Sequence, residues 1–333
     1  MRRMLTALLI PLLFAACSGS EADLVVYCAL DQDLSEPMIR DFEAQTGLKV
    51  RTQFDVERNK TVGLVNRILH EASNPHADVF WNNEIAHTLR LQEAGLTVPY
   101  RSPAADGIPE AFRDAEGHWT GFAARARVIL YRTDADLPVP DSLADFHDPE
   151  IAKHGAMAAP LTGTTLTNAA VYAEIHGTQA MRDWFEQAKA AGLNFGAGNA
   201  DIMRRTSAGD FHWCFTDTDD AAKAIVAGHP VAVKYLDQGD GIGCLLIPNT
   251  LAILDSGKNQ DAAKRFADYV LSQENEVRLA QSISRQIPLF AGAPQVDGVG
   301  RPGVDFEAAA VDWKAVGSSI GEQAKILQED FVR

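Results

Sequence analysis

Strand-length apolar runs alternate with helix-spaced apolar stripes through the first hundred residues, and this alternation limits the fold more than any other feature of the chain. Residues 24–27 (LVVY) form a short apolar strand, followed by Ser35 as a candidate N-cap and by Met38, Ile39 and Phe42 at helical spacing, with Gly47 ending the stretch. Residues 48–54 alternate as a strand does, and Val62, Val65, Ile68 and Leu69 make the apolar stripe of a helix that stops before Asn74-Pro75. A third strand at 78–81 and a third helix at 85–94, with Gly95 as its C-terminal cap, complete the pattern. Strands separated by helices pair in parallel, so the expected class is α/β with a helix-covered parallel sheet.

A β-rich stretch at 119–131 leads into a linker-like segment, 133–141, with Pro138 and Pro140; this is the best boundary in the sequence. A second alternation follows. It has a strand at 155–159, helical stretches at 166–175, 179–191 and 201–208, a strand at 211–215, a helix at 220–227 and a strand at 231–236. Residues 244–254 read as an apolar strand pair broken at Pro248-Asn249, 261–283 as strongly helical, and 304–332 as a segment with helical content. Segments 216–220 and 238–243 are the polar turns between these elements.

The N-terminus is an address. Arg2 and Arg3 precede an apolar run at 4–13 that is too short to span a bilayer and fits the core of a secretory signal. The run ends in LFAAC, which resembles a bacterial lipobox, so Cys17 is the expected lipidated first residue and 18–23 a short polar tether. An ordinary signal with a bystander cysteine is the alternative; both imply export, to the periplasm or the cell surface. Loss of residues 1–16 removes two arginines and no acid, taking the net charge from −15 to −17. Such a surface lacks the cationic stripe that nucleic acid requires. Of the cysteines left, Cys214 and Cys244 both lie in expected strands, where a disulfide and two buried thiols are equally compatible with the sequence.

The strings LVVY, FEAQTGLKV, ADVFWNNE, LQEAGL and GFAARARVILYRT, followed by APLTGTTLTN, KRFADYVLSQENE and SRQIPL, stand in an order that resembles the periplasmic ferric-ion-binding type (family 1 extracellular) of solute-binding proteins of ABC transporters, over roughly residues 23–290. The resemblance implies a two-lobe periplasmic binding protein fold of type II, with solute in the inter-lobe cleft. It implies one lobe from 24–126 plus 243–295, a second from 127–242 plus C-terminal helices in 300–333, and crossings near 125–130 and 243–253. It also implies a monomer whose closure around a small solute is read by a membrane permease and its ATPase. Binding rather than catalysis is expected, and no GxSxG, P-loop or GxGxxG motif contradicts this.

In that family a group after the first strand, a Glu after the third strand and two adjacent tyrosines in the second lobe hold ferric ion. Here the first falls on Asp31 and the second on Asn83 or Glu84, for which a turn and a helix-capping role are the plain alternatives. The tyrosine pair is replaced by TDTDD at 216–220, whose Asp217 and Asp219 suit a hard cation or a hydroxylated solute but are also ordinary helix-capping residues, with Asp217 expected nearer the solute. Thr162, Gly163, Thr164 and Thr165 stand between a strand and a helix, where free N–H groups attract an anion, and the family's synergistic anion binds at this place, with Asn199 contributing. Arg125 and, less so, Arg127 are candidates to fork onto an oxyanion, against the alternative of an inter-lobe salt bridge. Tyr235, Asp237 and Gln238 are further candidates for the cleft wall. The expected cargo is ferric ion or a metal–anion complex; the alternative is an organic anion such as a phosphonate or a phosphorylated sugar, bound without metal, and a hydrolase is the remaining reading.

Overall fold

The computed structural model describes residues 22–55, 62–256 and 258–332; the signal segment and Cys17 lie outside the described residues. The first half runs β1 (Leu24–Cys28), α1 (Gln32–Thr46), β2 (Val50–Phe54), α2 (Val62–His70), β3 (Val79–Asn82), α3 (Ala86–Glu93) and β4 (Thr97–Val98). A 13-residue strand, β5 (Thr120–Arg132), leads into the second half. There follow α4 (Pro149–Ala152), β6 (Gly155–Ala158), α5 (Gly163–His176), α6 (Thr178–Ala190), β7 (Asn194–Gly196), α7 (Asn199–Ala208), β8 (Trp213–Asp217), α8 (Thr218–Val226) and β9 (Val231–Tyr235). The chain then returns through β10 (Leu246–Leu254) to α9 (Gln260–Val270), α10 (Gln273–Gln281) and α11 (Trp313–Val332).

The strand order is β2-β1-β3-β10-β5-β8-β6-β7, with β4 on β10 and β9 on β5. Pairing is parallel among β1, β2 and β3 and among β6, β7 and β8, as crossover helices require. The two crossing strands are antiparallel to their neighbours. β5 changes partners between Ala126 and Arg127: upstream it pairs with β10, downstream with β8 and β9. The proline-bearing segment 133–141 therefore begins only after the sheet has already turned from one half to the other.

Each half buries its own aromatic cluster. Phe42 meets Phe266 edge-on at 5.1 Å in the first, and Phe146 meets Trp213 edge-on at 4.9 Å in the second. Such pairs add about 0.5–1.5 kcal/mol each to the stabilisation from burial. Trp213 lies so close to β6 that a Cβ at Gly155 would stand 2.1 Å from its indole, so this strand position accepts glycine alone. The last helix, α11, lies across both halves: Gly317 packs on Leu89 of α3, while Gln323 donates to Thr178 and Asp330 pairs with Arg182 of α6.

Several boundaries differ from the sequence expectation. α1 starts at Gln32 with Asp31 at its N-cap, and Ser35 is buried inside the helix, its hydroxyl donating to the Asp31 carbonyl. Pro248-Asn249 does not break β10; the strand continues through a register shift between Ile247 and Asn249. The helical region 261–283 divides at Ser272, whose side chain caps α10. The segment 216–220 is not a turn, because β8 runs to Asp217 and α8 begins at Thr218. Cys28, Cys214 and Cys244 are buried free thiols, so the disulfide reading falls. Among the described residues no helix is long and apolar enough to cross a membrane.

Candidate functional site

A cleft of about 760 Å³ opens between the halves, lined by Asp31, Asn66, Asn83 and Glu84 from the first, by Arg125 on the crossing strand, and by the starts of α5, α7 and α8 from the second. The strand ends place it there, since the C-terminal ends of β1, β3, β6 and β8 all run toward it.

The second-half wall is built from helix N-termini. α5 follows Thr162, α7 follows Gly198 and α8 follows Asp217, and in none of the three does the N-cap side chain accept a bond from the helix. The first N–H groups of a helix have no intrahelical partner and carry the positive end of its dipole. Gly163 has φ +60° and nothing within 4 Å of a would-be Cβ, so the first turn of α5 is bare to the cleft. Thr162, Gly163, Thr164, Thr165 and Asn199 all line the cavity, and Asn199 ties the two helix starts together by donating to Thr164 Oγ1 at 2.8 Å.

Asp217 is the keystone beneath these turns. Arg127 Nη1 donates to its Oδ1 at 2.8 Å, while Thr164 Oγ1 at 2.6 Å and Asn199 Nδ2 at 3.0 Å donate to Oδ2. The Arg127 guanidinium lies 4.2 Å over the Phe215 ring, and Arg127 is 1% exposed. A carboxylate with these partners holds β5, β8, α5 and α7 in place, and three donors occupy most of its acceptor sites while it lines the cleft.

Arg125, two residues earlier, differs. Its Nη1 stands 3.7 Å from Asp219 Oδ2, while Nε and Nη2 are buried without a partner and the residue is 5% exposed at the cleft wall. A buried guanidinium with idle donors is costly unless something completes it. Asp219 has one oxygen toward Arg125 and the other buried without a partner; burial raises its pKa, against the pull of Arg125. Burial, then the neighbouring Asp219 and Asp217, push Asp220 up to about 7. Its carboxyl bonds to Thr216 Oγ1.

On the first-half wall, Glu84 caps α3. Its carboxylate accepts from the backbone N–H groups of Ala86 and His87, from Asn82 and, across the cleft, from Thr167 Oγ1 at 3.1 Å. These four donors fit the capping alternative for Glu84, which also lines the cleft. Asn83 lines the cleft beside it. Asp31 reaches across to Lys223 of α8, whose Nζ lies 3.1 Å from Oδ2. Lys223, Arg204, Asp201 and Gln286 line the cleft and were not singled out from sequence. Lys223 stands one helical turn after Asp219, a spacing that pairs side chains on one helix face and was available as a signal.

The remaining candidates fall elsewhere. Asp237 lines a small cavity behind the cleft together with Tyr172, and Tyr235 stacks on Phe306 at 4.2 Å. The chain has six tyrosines, all described, and none lines the cleft.

Comparison with known proteins agrees with this architecture. The family model for bacterial extracellular solute-binding proteins matches residues 37–305. Iron uptake protein A1 of Synechocystis is 24% identical, over 93% of this chain and 88% of that protein. The ferric binding protein from Campylobacter jejuni superposes with a TM-score of 0.82 at 23% identity, covering 92% of this chain and 98% of its own. The periplasmic binding protein AfuA from Actinobacillus pleuropneumoniae, with exogenous fructose-6-phosphate bound, superposes with a TM-score of 0.77 at 20% identity, over 93% and 97%. These matches share the two-lobe type II architecture, with the cleft between the lobes. With a family model spanning most of its length and the cleft at the family's topological place, the chain belongs to the bacterial extracellular solute-binding proteins.

Proposed function

We propose that this protein is the extracytoplasmic solute-binding component of an ABC importer, tethered to the membrane through a lipid on Cys17, and that its cargo is a small organic phosphate or phosphonate. The lobes are 24–126 plus 243–295 and 127–242 plus the C-terminal segment, closing on the solute as a monomer that a permease and its ATPase then engage. One observation carries the cargo: the bare N-termini of α5 and α7 line the same cleft as Arg125, a buried guanidinium whose Nε and Nη2 have no partner. Partly dehydrated N–H donors, helix dipoles and a guanidinium fork are the groups that bind an oxyanion. The cleft volume exceeds what a bare ion fills, and Asn66, Asn83, Asp201 and Gln286 supply partners for hydroxyl or amine groups on the rest of the solute. AfuA, with its bound sugar phosphate, is an example of such cargo on the same fold.

Ferric ion with an anion is the second reading. Ligand oxygens of Asp217, Asp219 and Asp220 lie within 4.8 Å of one another, and Iron uptake protein A1 is among the relatives. Against it stand the absence of any tyrosine at the cleft and the prior commitment of Asp217. Calorimetry and thermal melts on the purified mature chain with hexose phosphates and aminoalkylphosphonates, beside the same measurements with ferric citrate, decide between them. Binding heat with an organic phosphate and a raised Tm is expected. Binding heat and a raised Tm with ferric citrate, with no response to any phosphorylated solute, would overturn the proposal.

A further inference from the structure

Three of the acids that line the cleft are each paired with one of the protein's own cations. Arg127 bonds Asp217, Arg125 stands beside Asp219, and Lys223 pairs with Asp31. The third pair differs from the other two. Asp31 follows β1 in the first half and Lys223 belongs to α8 in the second, 192 residues away, so this ion pair spans the cleft. Lys223 is one turn along α8 from Asp219, and Asp219, Asp31 and Asp220 all favour its charge although burial opposes it. A compact ammonium on a flexible stem, under the influence of carboxylates from both walls, puts a positive charge at the acidic corner of the cleft.

We propose that Lys223 is a specificity-determining residue: its ammonium acts as a tethered cation that fills the acidic corner of the cleft, joins the two walls through Asp31, and denies that corner to metal. A metal ion entering there meets a positive charge and competes for oxygens already neutralised, which is discrimination through a repulsive element. The helix starts of α5 and α7 still line the cleft beside Arg125 in the same arrangement. The inference rests on the organic-anion reading, since a ferric carrier would have no use for a built-in competitor.

The test titrates the full mature chain with Mn²⁺ alone, in phosphate-free buffer, by calorimetry. Wild-type protein gives no binding heat at millimolar metal. Lys223→Met, of similar length and without charge, binds Mn²⁺ at least ~10-fold more tightly, as expected when a like charge is removed from a cluster of acids. Lys223→Arg keeps the exclusion, and Lys223→Met combined with Asp31→Asn loses the acquired binding. If Lys223→Met does not fold, Lys223→Gln carries the same expectation. A folded neutral variant that takes up no Mn²⁺, or a wild-type protein that binds it as tightly as the variant, overturns the proposal. The cargo reading fails on a separate measurement, the response of the wild type to organic phosphates, so the two failures are told apart.

Discussion

Arg125 and Arg127 are two residues apart on one strand, both buried, and the protein uses them in opposite ways. Arg127 has partners on both Nη atoms, with Asp217, Thr164 and the Phe215 carbonyl accepting and the Phe215 ring beneath it; only its Nε is buried without one. Arg125 has a single carboxylate 3.7 Å away and two nitrogens without acceptors. The register explains the difference. Arg127 pairs with β8 directly opposite Asp217, inside the second half, whereas Arg125 pairs with Ile247 of the returning strand and stands where the halves part. Burial alone does not mark a functional charge; the state of its hydrogen-bonding inventory does.

The largest expected effect tests the member with the carboxylate bond. Arg127→Met strands Asp217 as a buried carboxylate without its cation and should lower unfolding free energy by about 3–5 kcal/mol, read from urea denaturation. An unchanged midpoint would remove Asp217–Arg127 as the brace of the second half. Arg125→Met should do the reverse: near wild-type stability, because little is bonded to it, with affinity for an organic phosphate reduced by about 2–3 kcal/mol, or some 30- to 150-fold. If Arg125→Met unfolds the protein and leaves affinity alone, the contrast between the two arginines is inverted.

The acids give a smaller, pH-dependent effect. Asp220 is pushed up to about 7 by burial and by Asp219 and Asp217. Its folded pKa lies above the unfolded value near 4, so the native state binds the extra proton, and the stability it contributes is lost as pH rises from about 4 through 7. Unfolding free energy of the wild type should therefore fall relative to Asp220→Asn between pH 5 and 7, by about 2 kcal/mol. Parallel pH curves for the two proteins would mean that Asp220 is ionised throughout.

What could be read from sequence follows the same division. The β–α alternation and the strand-to-helix passage at Thr162 to Thr165 depend on local punctuation; the structure has both, with α5 starting at Gly163, three residues before the expected helix, and Asn199 beside it. The roles of Asp217 and Asp31 depend on partners 90 and 192 residues away, so no local pattern could say that one is a brace and the other a bridge. Thr216 and Asp217 read as a turn because polar residues punctuate loops; in the folded chain they end a strand, since Arg127 and Asp220 satisfy them inside the protein. Ser35 read as a cap by residue type, and the helix simply began one turn earlier.

The smallest effect isolates the backbone at the anion turn. Gly163 and Gly47 both have positive φ, +60° and +73°, and neither has any atom within 4 Å of a would-be Cβ. Gly163 opens α5 at the cleft, while Gly47 ends α1, its N–H bonding Glu43 O, and does not line the cleft. Alanine at either position pays for a left-handed backbone with about 1 kcal/mol of stability, with no steric clash added. The two substitutions should therefore lower Tm alike. Only Gly163→Ala places a methyl group on the turn whose N–H groups are proposed to meet the anion, so calorimetry should show weakened organic-phosphate binding for it and wild-type affinity for Gly47→Ala. Equal affinities in the two variants would move the anion away from the start of α5, toward α7 and Arg125.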